Sequence, residues 1–487
     1  MSEKFAVTWI LRRGRVQTVG STGRTARYGP GNPIIATPDS ITLIEQARVV
    51  ASVIANPSAR TTWIYAGESG YGDILDILRP GSPACRHISI NGSADTALNA
   101  EDLEYLNLKG CFNLPTKSDD LITAYFHFVH PIFPILDGPS FLQDYAKSGP
   151  EGMNLLLIWA MFSVSSSYVP MYSGKETKAL FAMRGKVLFD LSGENDKIVL
   201  IQSALLLSFW FDDAEDIKQS WYWSGIAFSM AQTLGLHHLP APDTPQISRV
   251  KYNNLKNLWH CCILRDSWLS HSMGRPLRLY EAARSTTLVH TNECRFRAMQ
   301  LHANYMYSEA EAEGFEKMWQ SSITAAHILR QCQSISSKPT ESSTLALCLR
   351  DSLQAQQDTS SSFLLSLCSR HLQLCQHAAL IAICQLIKDS EMIEAAVDGI
   401  VAVVKLYDDN TIPYVPPTAV PLIMPAMLIS VSALRSTELH VRELAERRLS
   451  FCFHFLDEIE KTYPAASIVK RLFDALHNTI RAQQSNV

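Results

Sequence analysis

From Ser118 to the C-terminus the apolar residues recur every three or four positions and almost nowhere every second. That is the spacing of a helix face and not of a strand. Leu121, Ile122, Tyr125, Phe126, Phe128 and Val129 open the pattern. Ser118 is placed to cap that helix, Asp119 and Asp120 sit at the positive end of its dipole, and Pro131 and Pro134 stop it. The same spacing predicts helices over 152–167, 176–191, 196–211, 216–235 and 250–272. More are predicted over 317–335, 362–388, 391–407, 418–435, 438–461 and 465–483. The expected fold class is therefore all-α, a large multi-helix domain. Of 487 residues, 47% are hydrophobic and only 18% charged, which is enough apolar material to bury a sizeable core.

The N-terminal part has another texture. Stretches such as Gly29-Pro30-Gly31-Asn32-Pro33 and Pro80-Gly81-Ser82-Pro83 interrupt regular structure. Residues 1–104 are read as a loosely structured region, with helical spacing only at Ile41, Ile44, Ala47, Val50 and Ile54. Within it, residues 1–27 form a basic arm: Lys4, Arg12, Arg13, Arg15, Arg24 and Arg27 against a single acid, Glu3. Such an arm is either a solvated tail or a salt-sensitive, non-specific DNA contact. Residues 105–487 form the second expected unit. It is interrupted by a polar loop over 334–361, rich in Ser, Thr and Gln (Ser334, Ser336, Ser337, Gln354, Gln356, Gln357).

Several function classes are set aside by the same chain. The net charge of -4 offers nucleic acid no overall attraction. Eleven scattered cysteines include no C-x-x-C pair, so free thiols in a reducing compartment are expected. The apolar runs Ile198–Phe211 and Ala419–Leu434 fall short of the roughly 20 residues a bilayer crossing takes, and no membrane partner is expected.

Four segments, in order, resemble the middle homology region of fungal zinc-cluster transcription factors. The first is Tyr105-Leu106-Asn107-Leu108-Lys109-Gly110 leading to Leu121 through Pro131. The second is Phe133-Pro134-Ile135-Leu136-Asp137 with Ser140-Phe141. The third joins Gln219-Ser220-Trp221-Tyr222-Trp223 to Ala231-Gln232-Thr233-Leu234-Gly235-Leu236-His237. The fourth runs from Leu258-Trp259 through Cys261-Cys262 and Arg265-Asp266 to Gly274-Arg275-Pro276-Leu277-Arg278-Leu279. The likeness is best over 105–280, with a weaker echo at Tyr65 to Tyr71.

Read from the residues alone, the same segments are mostly scaffold. Trp210, Phe211, Trp221, Tyr222, Trp223 and Phe228 are dense enough to bury. Arg265 and Asp266 on an apolar helix point to an internal ion pair or hydrogen-bonded brace. Gly274 then Pro276 reads as a helix stop. The functional alternative is a ligand cavity within the helical core.

The resemblance implies a regulatory domain that restrains or releases a transcription activator. It also implies work in the nucleus on RNA polymerase II genes, such as those of a metabolic or secondary-metabolite cluster. Other transcription proteins and a small-molecule effector are the implied partners. The family binds DNA through six cysteines in two C-x2-C-x6-C halves holding zinc. No such motif occurs here, where the first cysteines are Cys85 and Cys111, so no cofactor and only indirect contact with promoter DNA are expected. DNA-binding residues are not assigned. A regulator acting only by protein contacts is the second reading.

An enzyme is the third. Asp212-Asp213-Ala214-Glu215-Asp216 matches the D-D-x-x-D pattern by which all-α terpene cyclases hold magnesium and diphosphate. The second metal motif of that class, N-D-x-x-S-x-x-x-E, does not follow. Cys368, His371, Cys375 and His377 have metal-ligand chemistry, but His377 lies about 200° around the helix from Cys375. Gly67-Glu68-Ser69-Gly70-Tyr71 misses the nucleophile motif G-x-S-x-G by its last residue and is read as lacking the strand and helix of that elbow. No catalytic, cofactor or metal residue is assigned, and the chain is read as no enzyme.

Overall fold

In the computed structural model, residues 61–67, 87–91, 100–191, 196–209, 220–243, 247–278, 295–297, 299–301, 304–333, 339–355 and 362–485 are described. They form fifteen α-helices. α1 is Ala100–Leu108, α2 Ser118–Ala124, α3 Gly138–Ser148, α4 Leu155–Ser165 and α5 Lys175–Leu191. α6 is Lys197–Leu207, α7 Ser220–Thr233, α8 Arg249–Met273, α9 Glu309–Gln333 and α10 Pro339–Ala355. α11 is Phe363–Ile387, α12 Ser390–Lys405, α13 Ala419–Ala433, α14 Leu439–Glu460 and α15 Pro464–Ser485.

The caps are local chemistry legible in the chain. Asp137, Asn154, Asp196, Ser248, Ser362 and Asp389 each accept a backbone N–H from the first turn of the helix that follows. Gly274 ends α8 at φ 60°, the left-handed stop expected from Gly274-Arg275-Pro276. Ser118 is not the cap of α2. It is the first helical residue, its hydroxyl donates to the Pro115 carbonyl, and Lys117 at the cap offers no side-chain bond. Past Ala124 the chain widens into a π-helical turn, Tyr125–Val129.

Three helices make the centre. α4 is buried from Leu156 to Ser165, α8 from Asn257 to Ser270, and α11 at most positions from Leu365 to Cys384. A helix apolar on all sides must be wrapped on all sides. α5 and α6 cover α4; α7 and α9 cover α8; α9, α10, α12 and α13 cover α11. α14 packs on α13, and α15 packs on both. No helix among the described residues is long and apolar enough to cross a membrane.

Two expectations need correction. The stretch 334–361 is not a continuous loop, because α10 occupies its middle. Ser342, Ala346 and Leu349 are buried there, and Leu345 and Leu353 pack beside them, an i, i+3, i+4 stripe hidden among serines and glutamines. The N-terminal region is also not without strands. β1, Thr61–Tyr65, pairs antiparallel with β2, His87–Asn91, and Tyr65 faces His87 across the ladder. Their β-branched and alternating residues were outweighed by neighbouring turn formers. A second pair, β3 (Gln300–Leu301) and β4 (Asn304–Tyr305), is two residues long on each side. The basic arm, the 41–55 segment, Ser69 and the acidic run 212–216 lie outside the described residues.

Gly235 joins the hairpin to the helices. It ends α7 at φ 67°, and His87 Nε2 lies 3.3 Å from its carbonyl oxygen. A Cβ at this position would lie 2.4 Å from His87 Nε2 and 2.6 Å from Tyr65 Cβ. Gly235→Ala is expected to lower unfolding free energy by about 2–4 kcal/mol, from left-handed strain plus the displaced hairpin. Urea denaturation checks this, and an unchanged midpoint would show the hairpin is not held there.

Candidate functional site

Two adjoining chambers lie beside α8 and α13, which touch at only a few residues. Pro416 and Pro417 precede α13, Pro421 occupies its first turn and Pro425 its interior. Pro425 deprives the helix of one bond; the other three stand where no intrahelical N–H bond is due. One chamber has a volume of about 50 Å3 and is walled by Phe128 and Val129 of the π-turn, Trp268 of α8, His371 and Cys375 of α11, and Leu422 of α13. The other has a volume of about 200 Å3 and extends between α13 and α15, past Met424, Tyr463, Ile468 and Val469. Phe209, Arg265, Leu269, Ser272, Pro417, Thr418 and Pro421 line both. The second chamber exceeds the roughly 150 Å3 of an apolar cavity able to take benzene.

Arg265 is the charged group in this apolar wall. It is 7% exposed, its Nε donates to Ser208 Oγ at 2.9 Å, and Nη2 donates to the Ser208 carbonyl at 2.5 Å. The Phe209 ring lies under the guanidinium at 4.2 Å. Burial brings its pKa down to about 9, which leaves it cationic at neutral pH. Its neighbour Asp266 turns away, since successive helical residues point about 100° apart. Asp266 accepts from Arg278 Nη1 at 2.6 Å and from Arg330 Nη1 at 3.0 Å, tying the chain after α8 and the end of α9 to α8. The expected brace exists, but its two members serve different partners.

The aromatic cluster divides in the same way. Trp223 is fully buried edge-on to Phe189, and Trp221 carries Arg278 above its ring at 3.6 Å, while Tyr222 is exposed. Trp210 and Phe211 lie outside the described residues. None of these described rings lines either chamber; the cavity's aromatic wall is Phe128, Phe133, Tyr168, Phe209, Trp268 and Tyr463.

His371 and Cys375 sit on the cavity face of α11, Nε2 to Sγ at 3.8 Å, and Thr418 Oγ1 lies 3.4 Å from the same nitrogen. Burial pulls His371 down to about 4 and pushes the Cys368 thiol up to about 12, so neither is charged at neutral pH. His377 faces the other way, against Gly399 of α12. No group of three His, Cys, Asp or Glu arranged for a metal occurs among the described residues.

Comparison with known proteins gives the region its family. Residues 122–370, just over half of the chain, match the fungal specific transcription factor domain. The match runs beyond the segments legible by eye, through α9 and α10 into α11. Cutinase transcription factor 1 beta of Fusarium vanettenii is 32% identical over 196 residues, 38% of this chain and 22% of that protein. The acetamidase regulatory protein of Emericella nidulans is 33% identical over 171 residues, 34% of this chain and 21% of that protein. The fusaric acid cluster transcription factor FUB12 of Gibberella fujikuroi is 29% identical over 151 residues, 29% and 22% respectively. The chain spans about a fifth of the length of these relatives, of which two are named as transcription factors and one as a regulatory protein. By a match that takes in α8, Arg265 and one wall of the cavity, this chain belongs to the family of fungal specific transcription factor domains.

Proposed function

We propose that the chain is a transcription regulator of RNA polymerase II genes in a fungus, with the helical body as its regulatory domain. The family match over 122–370 carries this reading. The domain works in the nucleus and responds to a small-molecule effector in the cavity between α8 and α13. Relatives named for cutinase, acetamidase and a fusaric acid cluster support metabolic genes as its targets. Promoter DNA is reached indirectly, alongside other transcription proteins, in keeping with a net charge of -4. The cyclase alternative has only the acidic run 212–216 behind it.

A reporter tests the reading. The whole chain fused to a bacterial DNA-binding domain, with a matching operator upstream of a yeast reporter gene, is expected to change expression at least about fivefold against the DNA-binding domain alone, a difference of roughly 1 kcal/mol in promoter occupancy terms. Equal output from the two would count against a regulatory domain.

A further inference from the structure

Among the described residues the cavity has a charge with no counter-charge. A guanidinium carries five N–H groups, and Ser208 takes one from Nε and one from Nη2. Arg278, Arg295, Arg330 and Arg448 each reach a carboxylate, but Arg265 reaches none among the described residues. Neither chamber it lines has a described Asp or Glu in its wall. A buried cation is ordinarily paired, because desolvation is otherwise uncompensated. Thr418, which lines both chambers, precedes α13, but that helix end adds little for an anion, since the Ala419 N–H already donates to the Pro416 carbonyl at 2.9 Å and Pro421 has no N–H.

The rest of the wall sets what the anion is attached to. Phe133, Trp268, Leu269, Pro421 and Leu422 offer apolar surface. Ser272, Ser322, Thr418 and His371 are polar groups of the same wall, and burial keeps His371 neutral. An inorganic anion would meet one guanidinium and then hydrocarbon. A wholly apolar molecule would leave the guanidinium unpaired.

We propose that this cavity takes a small apolar molecule bearing one anionic head group, a carboxylate in the simplest case, with the head on Arg265 and the tail between α8, α13 and α15. This rests on the effector reading above and names the ligand's chemistry. Arg265 binds it through the N–H groups Ser208 leaves open, and the fork of a guanidinium suits a carboxylate.

Isothermal titration of the purified full chain with octanoate and with octan-1-ol tests it directly. Octanoate is expected to bind at least about tenfold more tightly than the alcohol, which has the same tail and no charge. Arg265→Gln is expected to remove that preference, and Arg265→Lys to keep part of it. Because Arg265→Gln also loses the Ser208 bonds, a filling variant stands beside it. Ser272→Trp, placed where the two chambers meet, should abolish octanoate binding while circular dichroism stays unchanged. Equal binding of acid and alcohol, an unaltered preference in Arg265→Gln, or full binding by Ser272→Trp would each overturn the proposal, as would no binding of either at millimolar concentration. The reporter fusion reads out separately. A fusion that regulates while octanoate fails to bind leaves the regulatory reading standing and removes this ligand class.

Discussion

Asp266→Ala is expected to lower the stability of the helical body by about 3–5 kcal/mol, the loss typical when one partner of a buried ion pair is removed. The carboxylate side chain is 1% exposed and holds two arginines, Arg278 at 17% and Arg330 at 4% exposure. With Asp266 truncated, Arg330 keeps a 3.4 Å contact to Ser267 Oγ, and Arg278 keeps the Trp221 carbonyl at 2.7 Å and the Trp221 ring. Two cations would then share a site that has lost its carboxylate. Asp266→Asn preserves the shape and one acceptor but sets an N–H against an arginine, so it should lie between wild type and alanine. Guanidinium denaturation of the three proteins gives the order. If alanine and wild type unfold at the same denaturant concentration, the clasp between α8, α9 and Arg278 is not what holds that corner.

The second large effect is acid lability. His130, His260, His327, His371 and His377 are all depressed below the ordinary 6.5, His130 and His260 to about 3 and the other three to about 4. Burial is the leading cause in each, helped by Arg295 at His130, by His327 at His260 and by Arg330 at His327. Each also has a buried ring nitrogen without a hydrogen-bond partner. The sign follows from linkage. Below about 6.5 the unfolded chain takes up protons that the folded chain refuses, so stability is full above that pH and is lost as pH falls toward the folded values. Five such groups give a slope on the order of 5 kcal/mol per pH unit around pH 5, steep against a total stability of about 5–15 kcal/mol. The body is expected to unfold between about pH 5.5 and pH 4, followed by tryptophan fluorescence across a pH series. His130→Gln should make the slope shallower whatever it does to stability at pH 7. A stability that stays flat from pH 7 to pH 5 would contradict the buried neutral state of these rings.

Most of the helices were readable from the 3.6-residue apolar period, and Gly274 announced the stop of α8. The cap expected at Ser118 was wrong, and α1 and α3 went unread beside the clearer periods around them. Serines and glutamines concealed α10, and turn formers concealed β1 and β2. The family likeness was equally a property of linear order, from Tyr105 to Leu279.

What the chain by itself determined, then, was local: most helix positions, the stop at Gly274, the all-α class and a family-like order of segments, because each depends on residues within a few positions of one another. The partners of charged side chains were decided only by tertiary structure. Arg265 and Asp266 are adjacent, yet one meets Ser208 and the other Arg278 and Arg330, at 57, 12 and 64 residues' separation. The cavity is decided at the same level, since its wall joins the π-turn near Phe128 to α8, α11, α13 and α15. A helix period says which face is apolar, but not whether the neighbouring face arrives close enough to fill the space. Here prolines at 416, 417 and 421 form part of the cavity wall, across from Arg265, Trp268 and Leu269 of α8.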